Sequence, residues 1–110
     1  AHQVDKWIKE IWEFVQSDPQ YKDKTTLLIT VDHGRGDKKK KQWTDHGSDV
    51  AGASEIWVAA MGPEIAAKGE LKTQGQLYQN QIAQTIAKIM GYTFTASHPV
   101  AQEITEIVKK

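Results

Sequence analysis

Between positions 4 and 15 the apolar side chains fall at Val4, Trp7, Ile8, Ile11, Trp12, Phe14 and Val15, with Lys6, Lys9, Glu10 and Glu13 in the gaps. This three-and-four spacing gives a helix one apolar face. The helix is expected over residues 4–16, covering a sheet, and should stop near Ser17-Asp18-Pro19, because proline lacks an amide donor and disfavours helical geometry in the residue before it. After a polar connector, residues 25–31 read Thr-Thr-Leu-Leu-Ile-Thr-Val. A β-branched run with so little alternation predicts a strand covered on both faces, in a parallel or mixed sheet. Residues 55–61, Glu-Ile-Trp-Val-Ala-Ala-Met, predict a second strand closed by Gly62-Pro63. The stretch 34–52 between them is lysine- and glycine-rich and predicts a long exposed loop. Residues 66–76 read as a surface connection. Leu77, Ile82, Ile86, Ile89 and Met90, with Ala83 and Ala87, then predict a helix over 79–90 that ends at Gly91 as a left-handed cap. His98-Pro99-Val100 should be extended, and residues 102–110 form a short terminal helix or a frayed end.

Helix, strand, loop, strand, helix is the order of an α/β layer, and 110 residues make a single domain, 1–110, of ordinary size. The expected fold class is α/β, a small mixed or parallel sheet flanked by helices. Composition narrows the function. Without cysteine there is no disulfide, thiolate metal site or cysteine nucleophile. Fourteen Lys+Arg balance fourteen Asp+Glu, so no whole-chain field points to nucleic acid or an anionic membrane, and neither is expected as a partner. No apolar run approaches the ~20 residues of a membrane helix. The first ten residues carry no secretory signal pattern, which leaves the compartment open. The chain opens on Ala1 rather than Met, which suggests a piece of a longer protein.

The strongest chemical signal lies where the first strand runs out. Asp32-His33-Gly34 follows the apolar run directly, and Asp45-His46-Gly47 comes thirteen positions later. Beyond a strand end, side chains at adjacent positions are no longer forced to opposite faces. A carboxylate and an imidazole suit zinc or manganese, and the intervening loop is long enough to return His46 to the same cleft. Ligands of open α/β sheets gather beyond the carboxyl ends of strands. An Asp-His-Gly exit also describes an ordinary turn, since Asp and Gly are common turn formers. Spacing alone does not separate the two readings.

Leu-Leu-Ile-Thr-Val-Asp-His-Gly (27–34), residues 43–47, and Ser-Glu-Ile-Trp-Val-Ala-Ala-Met-Gly-Pro (54–63) occur in an order that resembles the C-terminal part of the alkaline phosphatase superfamily. The likeness covers roughly residues 25–90, and the thirteen-residue interval is closer to the sulfatase-like and phosphoglycerate mutase-like branches. The resemblance implies an alkaline-phosphatase-like α/β sandwich and a metal-dependent hydrolase or phosphomutase acting on phosphate or sulfate esters. Two divalent ions are implied, zinc or manganese first, with calcium or magnesium as alternatives. Asp32 and His33 match the pair that helps bind the ion nearest the nucleophile, and His46 matches the histidine that completes the other ion's shell. The family's nucleophile and remaining ligands lie upstream of this strand, and nothing in residues 1–24 follows a strand to supply them. No catalytic nucleophile is therefore assigned in this chain, which is expected to be an inactive, weakly metal-binding or metal-free fragment of a larger hydrolase, periplasmic or secreted if the family's habit holds.

Other residues have bland readings beside the chemical ones. Arg35 offers a fork for a phosphate or sulfate oxyanion, or is a solvated loop arginine. Lys38, Lys39, Lys40 and Lys41 either attract anions or form an exposed loop. Asp45 orients His46 or caps a turn, Glu55 pairs with loop backbone or faces the site, and Trp43 walls a pocket or anchors the loop. Trp7, Trp12 and Trp57 are expected in the core, Gln79, Gln81 and Gln84 outward, and His98 at the surface. Two alternatives to catalysis follow: a stand-alone module whose lysine loop grips an anion, or a protein-interaction module. Bare sheet edges would favour association with a second copy.

Overall fold

A computed structural model describes residues 1–72 and 75–109; positions 73, 74 and 110 lie outside the described residues. Helix α1 spans His2–Ser17, strand β1 Leu27–Thr30, strand β2 Val58–Met61 and helix α2 Ile82–Ile89, with single 3-10 turns at Lys40–Gln42 and Gln79–Gln81. The molecule is mixed helix and strand, as expected. Its contacts divide it into two units, one of Ala1–Leu27 with Ala60–Lys110 and the other of Leu28–Ala59. No helix of the described residues is long and apolar enough to cross a membrane.

The sheet differs from expectation. It has two strands, β1 and β2, and they run antiparallel. The Thr30 hydroxyl donates to the Trp57 carbonyl at 2.8 Å, while at the other end Gly62 lies so close over Thr26 that a Cβ there would sit 2.6 Å from the Thr26 Cα. Ascending numbers on one strand thus meet descending numbers on the other. Each strand is also shorter than its apolar run. Leu27, Leu28 and Ile29 are half-buried rather than sealed on both faces, because pairing on one edge of a two-stranded ribbon cannot enclose them.

Helix α1 stops as the sequence requires: Asp18 is extended, and its amide donates to Phe14 O in closing the last turn. Its packing is not as expected. Ile8, Trp12 and Val15 are half-buried, whereas Val4, Trp7, Ile11 and Phe14 are exposed, and so is Trp57 on the approach to β2. Trp7 and Trp57 are therefore not core residues. Amphipathic spacing marks which positions can be buried, and burial needs a surface to pack against.

Order in the first unit centres on α2 and the tail. The helix ends in a Schellman turn: Tyr92 N–H donates to Ala87 O, Gly91 N–H to Lys88 O, and Gly91 takes the left-handed φ of 78° that a side chain resists. Thr85 and Ile104 are fully buried. The Thr85 hydroxyl donates to Gln81 O at 2.7 Å and accepts the Ile104 N–H at 2.9 Å, so one polar side chain satisfies both partners in the core. Gln81 and Gln84 turn inward rather than outward. Gln81 accepts the Tyr78 N–H and donates to Gln102 O, and Gln84 accepts the Phe94 N–H. The described tail residues, 102–109, neither fray nor form a helix. Val108 bridges Ile65, Ala66 N–H donates to Ile107 O, and Lys109 N–H donates to Glu64 O.

Candidate functional site

The described part of the second unit is mostly the loop between the strands, and a close backbone crossing organises it. Gly34 N–H donates to Ala53 O at 2.7 Å. A Cβ on Gly34 would fall 2.0 Å from Gly52 O and 2.7 Å from Glu55 O, and a Cβ on Gly52 would fall 2.4 Å from Arg35 O. Only glycine lets the two segments approach this closely. Gly36 N–H donates to Asp45 O, which draws residues 45–46 back to the strand exit. Gly52 at the crossing was readable only as loop punctuation, because its partner lies eighteen positions away.

This crossing brings the two imidazoles together. The His33 and His46 rings stack with centroids 3.8 Å apart and planes 14° from parallel. The His33 Nδ1 lies 2.7 Å from Gly34 O. A carbonyl can only accept, so Nδ1 carries a proton and donates. In the neutral ring the lone pair is then on Nε2. Nε2 lies 3.6 Å from Asp32 Oδ2, and Oδ1 of the same carboxylate accepts the His33 backbone N–H at 3.0 Å. One Asp32 oxygen thus fixes the turn while the other faces the imidazole nitrogen. The expected trio therefore meets, with His46 joining through its ring face.

Among the described residues no group of three His, Cys, Asp or Glu side chains has the arrangement to hold a metal ion alone. The donor set consists of one carboxylate oxygen and one imidazole nitrogen side by side, with a second imidazole layered on the first. Asp32 Oδ2 and His33 Nε2 stand 3.6 Å apart, a separation that two bonds of about 2.0–2.2 Å to one ion can span.

The surrounding residues sort as follows. The Arg35 guanidinium lies 5.8 Å from the Trp43 ring centre, within cation–π range, and Trp43 itself is exposed rather than anchored in the core. Lys38, Lys39, Lys40 and Lys41 are all exposed. Asp45 enters through its backbone carbonyl, and the Glu55 carbonyl borders the Gly34 crossing. His98 is exposed in the other unit. Comparison of the chain with protein-family models, with curated proteins and with solved structures finds no match.

Proposed function

We propose that Asp32, His33 and His46 are metal-binding side chains of a two-ion centre that acts on phosphoric or sulfuric esters, with the nucleophile and remaining ligands supplied from outside these 110 residues. The observation that carries this reading is the fixed His33 ring: Nδ1–H is tied to Gly34 O, Nε2 stands beside the Asp32 carboxylate, and His46 is layered above. Metal-binding histidines commonly donate their other ring N–H to a carbonyl in this way, which sets the tautomer and aims the ligating nitrogen.

The stacking supports two ions over one. An ion lies close to the plane of the imidazole that binds it, and two nearly parallel planes share no nearby point, so each ring serves its own ion. Such ions, zinc or manganese for this donor set and calcium or magnesium as harder alternatives, would neutralise ester oxygens and activate an oxygen nucleophile. Asp32 and His33 would hold and orient the ion, Gly34 O fixes the Nδ1–H tautomer of the neutral ring so that Nε2 is its ligating nitrogen, and Arg35, beside Trp43, would supply a fork for an oxyanion.

With so few ligands, binding by the chain alone should be weak, and paramagnetic relaxation is the suitable probe. Added Mn²⁺ is expected to broaden the ring proton resonances of His33 and His46 while sparing His2 and His98. Equal broadening of all four would remove the assignment. His33→Ala should weaken Zn²⁺ binding by roughly tenfold or more.

A second reading rests on the exposed lysines at 38–41 with Arg35 held over Trp43: an anion-binding surface without catalysis. It requires sulfate or phosphate binding that survives chelator, falls with added salt, and disappears when the lysines are reversed to glutamate.

A further inference from the structure

The surface feature that neither reading uses is the outer stripe of α1. Val4, Trp7, Ile11 and Phe14 remain 53, 54, 53 and 60 % exposed along the whole helix, and Tyr21, 41 % exposed, extends the stripe by packing its ring 6.4 Å from that of Phe14. Their spacing of three, four and three is the spacing of a helix-pairing seam.

We propose that this stripe is a homodimer interface, in which α1 pairs antiparallel with α1 of a second copy. The register follows from the side chains. Antiparallel pairing centred at position 9 sets Trp7 against the other copy's Ile11 and Phe14 against its Val4, so every layer joins one aromatic to one β-branched aliphatic side chain. Parallel pairing would stack Trp7 on Trp7 and leave Val4 facing Val4, giving layers of unequal bulk. A two-fold axis through the seam makes the contact closed and self-complementary.

Charge selects against other occupants. The helix carries Lys6 and Lys9 against Asp5, Glu10 and Glu13, and the lysines are engaged at 3.7 Å with Glu10 and 3.6 Å with Glu13. On the helix itself both lysines are therefore paired and acidic residues outnumber them, which disfavours an anionic lipid surface or nucleic acid as the occupant. Area sets the strength. Half-exposed aromatic and aliphatic side chains of these sizes offer on the order of 500 Å² per copy, about 1,000 Å² for the pair. That total lies at the lower end of specific interfaces, so the dimer dissociates on dilution and is not obligate.

Sedimentation velocity from low micromolar to submillimolar concentration tests this. The apparent mass should climb from 12.4 kDa toward twice that value. Trp7→Glu and Ile11→Glu should each weaken the dimer at least about tenfold, with unchanged far-UV circular dichroism, since α1 has no buried residue. The chain has no cysteine, so orientation can be read by cross-linking: a mixture of Val4→Cys and Phe14→Cys proteins should form the mixed disulfide in preference to either self-pair. A wild-type chain that stays at 12.4 kDa throughout, whether or not it sediments with neutral phosphatidylcholine vesicles, overturns the proposal. So does a dimer indifferent to both glutamate variants, which would place association elsewhere, such as the sheet edges.

Discussion

Gly34→Ala is expected to dismantle the candidate site without touching any of its side chains. The added methyl would lie 2.0 Å from Gly52 O and 2.7 Å from Glu55 O, and both obstacles are backbone atoms that no rotamer change can move aside. One segment must retreat by an ångström or more, which breaks the 2.7 Å bond from Gly34 N–H to Ala53 O. Overpacking commonly costs about 1–3 kcal/mol. A backbone obstacle with a lost hydrogen bond belongs at or above the upper end. The same displacement shifts Gly34 O, the acceptor that fixes the His33 ring. Two readouts should move together: faster amide exchange at Gly34, and loss of the mutual ring-current shifts of His33 and His46. A variant that keeps both would show that the crossing does not hold the imidazoles.

The second large effect is expected at Thr85, where valine has nearly the same shape but no hydroxyl. Thr85→Val strands the buried Ile104 N–H, which now donates to Thr85 Oγ1 at 2.9 Å. A buried orphan donor costs about 1–3 kcal/mol, a drop in Tm of roughly 4–8 °C per kcal/mol for a domain near this size. Thr85→Ser gives up a methyl but keeps the oxygen, so it too loses stability. The two variants separate at one amide: exchange at Ile104 should stay slow in the serine protein and become fast in the valine protein. Equal protection in both would mean that packing, rather than this hydrogen bond, orders the tail.

Elements set by local chemistry were legible in the sequence. The stop of α1 before Pro19, the two apolar runs, the loop between them and the Gly91 cap each depend on a few neighbouring residues. What was not legible depends on distant partners. A continuous apolar run does not state which way its neighbour runs, so the antiparallel pairing of β1 and β2 could not be read from Leu27, Leu28 and Ile29. Trp7 and Trp57 have the composition of core residues and lack the surface that would cover them. The two Asp-His-Gly repeats singled out Asp32, His33 and His46 as candidates, but that the two imidazoles lie face to face depends on the Gly34–Gly52 crossing and the Gly36–Asp45 bond. Thr85 carried no sequence signal, since a threonine on a helix with alanines and isoleucines looks like any other neutral position.

The bridge from Ile65 to Val108 spans forty-three positions of chain. During synthesis at about 5–20 residues per second, residues 64–66 leave the ribosome several seconds before anything exists to pair with them. The α2 hydroxyl at Thr85 waits in the same way for Ile104. The first unit can therefore consolidate only when its final stretch arrives, and trimming a few residues from that stretch would act on the whole unit at once.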